Sequence, residues 1–186
     1  MNIISKPSPN QDSFRLPITT IVIHWIVGNL AAADAVFAKL GGVSAHYAVE
    51  DSTVHQYVPE NKVAYHAGVY LVNQQSIGIE HSASPDRPAS DLTYETSGQL
   101  IAEIAKRYNI PLDRAHIKGH KEYKATQCPG TMDIDRLISI AKKYQPNDLQ
   151  KELDKARLER DANWNKFVTL RDEVKKSINS LSKLLS

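Results

Sequence analysis

The chain is short of cysteine, of unbalanced charge and of long apolar runs, and each shortage removes a class of protein. Among 186 residues only Cys128 is a cysteine, so no intrachain disulfide can form and one thiol stays free for chemistry. Lys and Arg number 23 against 21 Asp and Glu, a net charge of +2. Nucleic-acid binders concentrate positive charge, so nothing argues for DNA or RNA as a partner. The most apolar stretch, residues 21–38, is interrupted by His24, Gly28, Asn29 and Asp34, whereas a membrane span needs about 20 largely uninterrupted apolar residues. It reads as core, and no stable membrane insertion is expected. The opening MNIISKPSPNQDSFR has no apolar run of seven and so lacks the pattern of a secretory signal, which predicts synthesis in the cytoplasm. What remains is an ordinary apolar fraction of 41%, enough for one sizeable core, on a length that suggests one domain and something extra.

Strand and helix signals alternate through residues 1–146. Ile18 to Ile23 is β-branched, as suits a strand buried on both faces, and ends at His24. Asn29 to Lys39 is alanine-rich and helical, with Gly41-Gly42 as its stop. Ser44–Glu50 and Val54–Val58 read as a hairpin through Asp51-Ser52, and Ser76–His81 as a further strand. Leu100, Ile101, Ile104, Ala105 and Tyr108 recur at helical spacing between cap candidates Thr93 to Thr96 and the breaker Pro111. Ala115–Gly119 is a short strand, and Met132–Tyr144 a helix with Ile134, Leu137, Ile138 and Ala141 on one face. Strands interleaved with helices predict an α/β fold, a mixed central sheet flanked by helices.

At Pro146 the character changes. Residues 148–186 contain neither Gly nor Pro, and apolar side chains fall on two seven-residue grids: Leu149, Ala156, Leu170, Leu184 and Leu153, Phe167, Val174, Leu181. Residues 147–186 are therefore a second segment, a long amphipathic helix or a helical hairpin broken at Asn163-Trp164-Asn165. Arg160, Asn163 and Ser177 interrupt the grids. Three uses stay open: a homo-oligomer through this helix, packing back on the domain, or docking on the cell wall or another partner.

His24, His120 and Cys128 are the chemical candidates, because imidazole nitrogen and thiolate sulfur suit zinc and three protein ligands leave a fourth position for water. The same residues also suit a capped core histidine and a small buried thiol. His116 and His120, an i,i+4 pair, do not compete as a joint site. Residues 117–119 read as strand, along which four residues separate the rings by about 13 Å.

In ITTIVIHW, SAHYAVED, QYVPENKVAYHAG, SIGIE and KGHKEYKATQCPGT, taken in that order, residues 17–145 resemble the zinc-dependent N-acetylmuramoyl-L-alanine amidases. That type-two group includes peptidoglycan recognition proteins and phage lysozyme-amidases. The resemblance implies Zn2+ held by His24, His120 and Cys128 in a surface groove, and cleavage of the amide joining muramic acid to L-alanine in peptidoglycan. Many relatives carry a catalytic Tyr where this chain has Ala45. Tyr47 comes after His46 rather than before it and faces the opposite side of the strand from that histidine; it is not taken as the substitute. Relatives that resemble cytosolic amidases of muropeptide recycling also have Ala there, and a Glu in the SIGIE strand takes the acid–base role, which maps to Glu80. Thr126 stands where many members have Lys and others Thr. Its hydroxyl can donate one hydrogen bond to an oxyanion without adding charge. His66 and Asn73 map near the substrate groove, in contact with ligand or stabilising a loop; Tyr65, and Trp25 next to a zinc ligand, read as groove wall or core.

The expected reaction is zinc-assisted hydrolysis with Glu80 as acid–base group and Thr126 on the oxyanion. Two other readings remain: a recycling amidase of the cytosol, and a recognition module that holds muropeptide uncut. Non-catalytic members typically lose a zinc ligand, often the cysteine, and this chain keeps all three. The tail favours an endolysin, which acts on the wall after release and gains from an element that multiplies contacts.

Overall fold

The computed structural model describes residues 2–145 and 148–184, and the chain divides into two units, Met1–Gln145 and Pro146–Ser186. The first unit runs β1 (Asn2–Ser5), β2 (Gln11–Asp12), β3 (Thr20–Ile23), α1 (Leu30–Phe37), β4 (Tyr47–Glu50), β5 (Thr53–Gln56), β6 (Val63–Ala64), α2 (Tyr70–Gln75), β7 (Ser76–His81), α3 (Asp91–Tyr108), β8 (Ile117–Gly119) and α4 (Ile134–Tyr144). Six strands form one sheet in the order β1-β5-β4-β7-β3-β8, and β2 pairs with β6 apart from it. Only β4 and β5 are antiparallel within the six; every other neighbouring pair is parallel. This is the mixed sheet with flanking helices that the sequence predicts.

Period-two alternation divides the side chains between two layers. Ile21, Ile23, Tyr47, Val49, Ile77, Ile79 and Ile117 point to one face, where they pack with Leu100, Ile101 and Ile104 of α3 and Leu137, Ile138 and Ala141 of α4. Ala48 points to the other face, in a smaller cluster with Leu30, Ala33 and Phe37 of α1, Tyr57, Val58 and Ala64. The thinner second layer leaves room for polar residues, and the site lies there.

Helix ends differ from expectation in detail. The cap of α3 is Ser90, whose hydroxyl accepts from the Thr93 N–H at 3.1 Å, rather than a residue of Thr93–Thr96, because the helix begins two residues before the first buried position. Its C-terminus is closed by Asn109 in the left-handed region (φ 55°). Helix α1 ends at Phe37, short of Gly41-Gly42. The Asn10 side chain takes over the turn, accepting from the Gly41 and Gly42 N–H groups and donating to the Lys39 carbonyl.

The second unit is one uninterrupted helix, α5 (Asp148–Leu184), which excludes the hairpin. Asn163-Trp164-Asn165 stays helical because neither Gly nor Pro interrupts the ladder, and the Trp164 and Phe167 rings stack 5.6 Å apart. Its apolar residues Leu153, Phe167, Leu170, Val174 and Leu181 are exposed, as is Ala156. The side chains of Leu149 and Leu184 lie outside the described residues. Among the described residues, no helix is long and apolar enough to cross a membrane.

Candidate metal centre

Strand register assembles the centre. Ile23 at the end of β3 pairs with Ile79 of β7 and with Gly119 of β8. The next residues in each parallel strand are His24, Glu80 and His120, which therefore stand side by side across three strand ends, about 4.8 Å apart per strand. Open α/β sheets bind ligands at the carboxyl ends of parallel strands. Cys128 arrives from the loop after β8, where its carbonyl accepts from the Lys121 N–H at 2.8 Å. Pro129 follows through a cis peptide bond. The ligand atoms of His24, His120 and Cys128 lie within 4.8 Å of one another, a spread that one ion can close with small side-chain movements.

Each ring is held by its other nitrogen. His120 Nε2 lies 3.1 Å from the Ala67 carbonyl; since a carbonyl only accepts, Nε2 carries the proton and Nδ1 is bare. His24 Nδ1 faces Cys128 Sγ at 3.6 Å and its Nε2 faces His66 Nδ1 at 3.0 Å. The His24 main chain is held as firmly, its N–H donating to Ile79 O at 2.8 Å and its carbonyl accepting from His81 Nδ1 at 2.8 Å. Burial, with neighbouring imidazoles adding to it, keeps His24 neutral with a pKa well below the ordinary value.

Glu80 faces the same side. Its Oε2 is buried without a hydrogen-bond partner, and desolvation raises its pKa to about 8. The Cys128 thiol is pushed up to about 12, by burial first and then by Glu80, while the Trp25 main-chain N–H favours the thiolate. A thiol and a carboxyl are thus both driven toward neutral forms at a spot where two imidazoles offer bare nitrogens. A divalent cation there would reverse both penalties, so the residues fit a metal ion of the zinc type.

Beside Glu80 is a cavity of 210 Å³ with apolar walls from Trp25, Ala33, Val36, Phe37 and Val43. Trp25 is half-buried and lies over Gly130, where any side chain would meet its ring within 2.1 Å. Thr126 is exposed, and its hydroxyl oxygen accepts from the Cys128 N–H at 3.2 Å, leaving its own hydrogen free to donate. Tyr65 is half-buried in the same loop as His66, with its N–H on Ser44 Oγ. His66 and Asn73, by contrast, are buried. The Asn73 side chain accepts from the His66 and Ala67 N–H groups, and His66 lies against His24. Tyr47 points away, its hydroxyl donating to Glu60 at 2.9 Å.

Several supporting residues escaped the sequence. His81 is buried between the His24 carbonyl and the Ser97 hydroxyl. The Arg15 guanidinium donates to the Lys62 and Ser76 carbonyls at 2.6 and 2.7 Å, tying the loop before His66 to the start of β7. Lys124 lies across Gly68 and, after burial, helps lower the pKa of His120, bringing a positive charge near the centre. None of them has a local pattern that marks it.

Fold and site together define a class, an α/β protein with three side chains that could hold a metal ion, His24, His120 and Cys128, at the carboxyl ends of parallel strands beside the Glu80 carboxylate. The family model for N-acetylmuramoyl-L-alanine amidase matches residues 14–131, and the chain belongs to that family. The amidase CwlH of Bacillus subtilis (strain 168) is 30% identical over 139 residues, covering 69% of this chain and 54% of its own length. XlyA of the same organism is 32% identical over 141 residues, covering 69% and 46% respectively. The chain therefore spans about half the length of the curated relatives it matches. A solved mutant endolysin from Bacillus subtilis superposes with a TM-score of 0.64 at 25% identity, covering 78% of this chain and 99% of that one.

Proposed function

We propose that the chain hydrolyses the amide bond between N-acetylmuramic acid and L-alanine in bacterial peptidoglycan, as a cell-wall lytic endolysin with zinc as its metal. The observation that carries this reading is the row formed by His24, Glu80 and His120, closed by Cys128. His24 Nδ1, His120 Nδ1 and Cys128 Sγ would hold the zinc ion, which would supply Lewis acidity toward an amide carbonyl and an attacking water. Glu80 takes the proton of the attacking water and returns it to the leaving alanine nitrogen. Thr126 donates its free hydroxyl hydrogen to the oxyanion. The apolar cavity beside Glu80 receives a small apolar group next to the scissile bond, and Trp25 and Tyr65 border the substrate path.

The α5 stripe supports a second part of the proposal, pairing of two copies through this helix. Its exposed apolar residues recur at heptad spacing and its charges, nine basic and seven acidic over residues 148–186, nearly balance. A dimeric mass in light scattering that becomes monomeric on removal of residues 146–186 supports pairing; a monomeric full chain refutes it.

The activity is tested by mass spectrometry of purified peptidoglycan after incubation with the protein, with and without a zinc chelator. Chelator-sensitive release of stem peptides with a free L-alanine amino terminus is expected. Intact wall with zinc-loaded protein bound to it would instead establish recognition without cleavage.

A further inference from the structure

We propose that the corner His66-Ala67 sets the tautomers of both histidine ligands, through a hydrogen-bond chain from His24 to the Val72 carbonyl that can run in only one direction. This makes His66 and Ser76 positioning residues for the metal, and it rests on the metal-centre reading above. The direction is fixed at the Val72 end. The Val72 carbonyl cannot donate, so the Ser76 hydroxyl, 2.6 Å away, donates to it. Ser76 Oγ then offers only lone pairs to His66 Nε2 at 3.3 Å, and that nitrogen must carry a proton. A neutral imidazole carries one proton, so His66 Nδ1 is bare and accepts from His24 Nε2 at 3.0 Å. His24 is left with a bare Nδ1 directed at Cys128. One residue on, the Ala67 carbonyl imposes the same outcome on His120.

The surroundings keep the chain in this state. His66 is buried between the rings of His24 and His46. Its ring lies against Gly78 of β7, where a Cβ would stand 2.5 Å from His66 Cγ, so only glycine leaves space for the ring. Asn73 Oδ1 accepts from the main-chain N–H groups of both corner residues. Arg15, donating to the Ser76 carbonyl, fixes the strand that carries the serine. A metal-ligating histidine whose remote nitrogen is fixed is both oriented and more basic, and loss of such a partner typically costs 10–100-fold in metal affinity.

The test begins with the unsubstituted, zinc-free chain carrying 15N-labelled histidine. Long-range 1H–15N correlation is expected to show His24, His66 and His120 all protonated at Nε2; a proton on His24 Nδ1 overturns the proposal. Zinc affinity by competition with a chromophoric chelator is the second readout. His66→Leu is expected to weaken zinc about 10–100-fold, and Ser76→Ala to weaken it less and to mix the His66 tautomers. His66→Gln, whose amide oxygen can accept from His24 and whose NH2 can donate to Ser76, should recover most of the loss. Equal affinities for the Leu and Gln variants, both folded by circular dichroism, would reduce His66 to packing and refute the chain. If the unsubstituted protein binds no zinc, the metal-centre reading fails, while the tautomers still decide the hydrogen-bond chain.

Discussion

Replacing Glu80 by glutamine is expected to stabilise the metal-free protein while abolishing hydrolysis. The Oε2 atom of Glu80 is buried without a partner, and its carboxyl titrates near 8 in the fold against an ordinary value of 4.5. A raised carboxyl pKa means that the folded state binds more protons than the unfolded one between these two values. Stability is therefore intact below about pH 4.5 and falls as pH rises toward 8. At pH 7 the loss approaches ~3 kcal/mol, and at pH 5 it stays under ~1 kcal/mol, taking 1.36 kcal/mol per unit. Glutamine keeps the shape and carries no charge, so it escapes the loss. In a unit of this size that corresponds to roughly 6–12 °C in melting temperature at pH 7 and little at pH 5. The assay is calorimetry of chelator-treated wild type and Glu80→Gln at both pH values, beside peptidoglycan hydrolysis by the zinc-loaded forms, where a drop of about 10²–10⁴-fold is expected. Equal melting-temperature differences at pH 5 and pH 7 would refute the buried-carboxylate argument. Unchanged hydrolysis would remove Glu80 from the mechanism.

Three further outcomes follow from the same geometry. His46 and His81 are buried and neutral, with pKa values lowered by desolvation to about 3 and about 4; the unfolded chain takes up their protons below about pH 6.5, so their contribution to stability is full above that value and declines toward pH 4, and His81→Gln should flatten that decline in a melting-temperature series. Cys128→Ser is expected to lower bound zinc, measured by elemental analysis after dialysis, and to remove the gain in melting temperature that zinc gives the wild type. Thr126→Ala should reduce kcat by about 10–100-fold while Thr126→Ser retains most of it; equal rates for the two would show that the hydroxyl takes no part.

Much of the fold was legible because it is written in local period. The β-branched run before His24, the SIGIE strand and the helical spacing from Leu100 to Tyr108 each declare an element and its buried face. Helix ends were less legible, since Ser90 and Asn10 cap or replace turns according to where the chain returns in space. The candidate ligand set was visible as residue types that suit zinc, in motifs that resemble a family. The burial of His66 and Asn73 was not, because a buried and an exposed histidine look alike in sequence. His81, Ser76 and Arg15 carried no signal, since each acts only through a main-chain or side-chain partner distant in the chain.

By itself, then, the sequence determined which atoms were available: one thiol, two imidazoles at strand ends, a carboxylate in an apolar strand and a tail with a heptad stripe. Composition and periodicity are local properties, and they suffice for elements and for donor types. Tertiary structure alone decided that Ile23 pairs with both Ile79 and Gly119, placing His24, Glu80 and His120 in one row. It also decided that Gly78 faces the His66 ring. Register and tautomer depend on hydrogen-bond partners tens of residues apart, and no local pattern contains them.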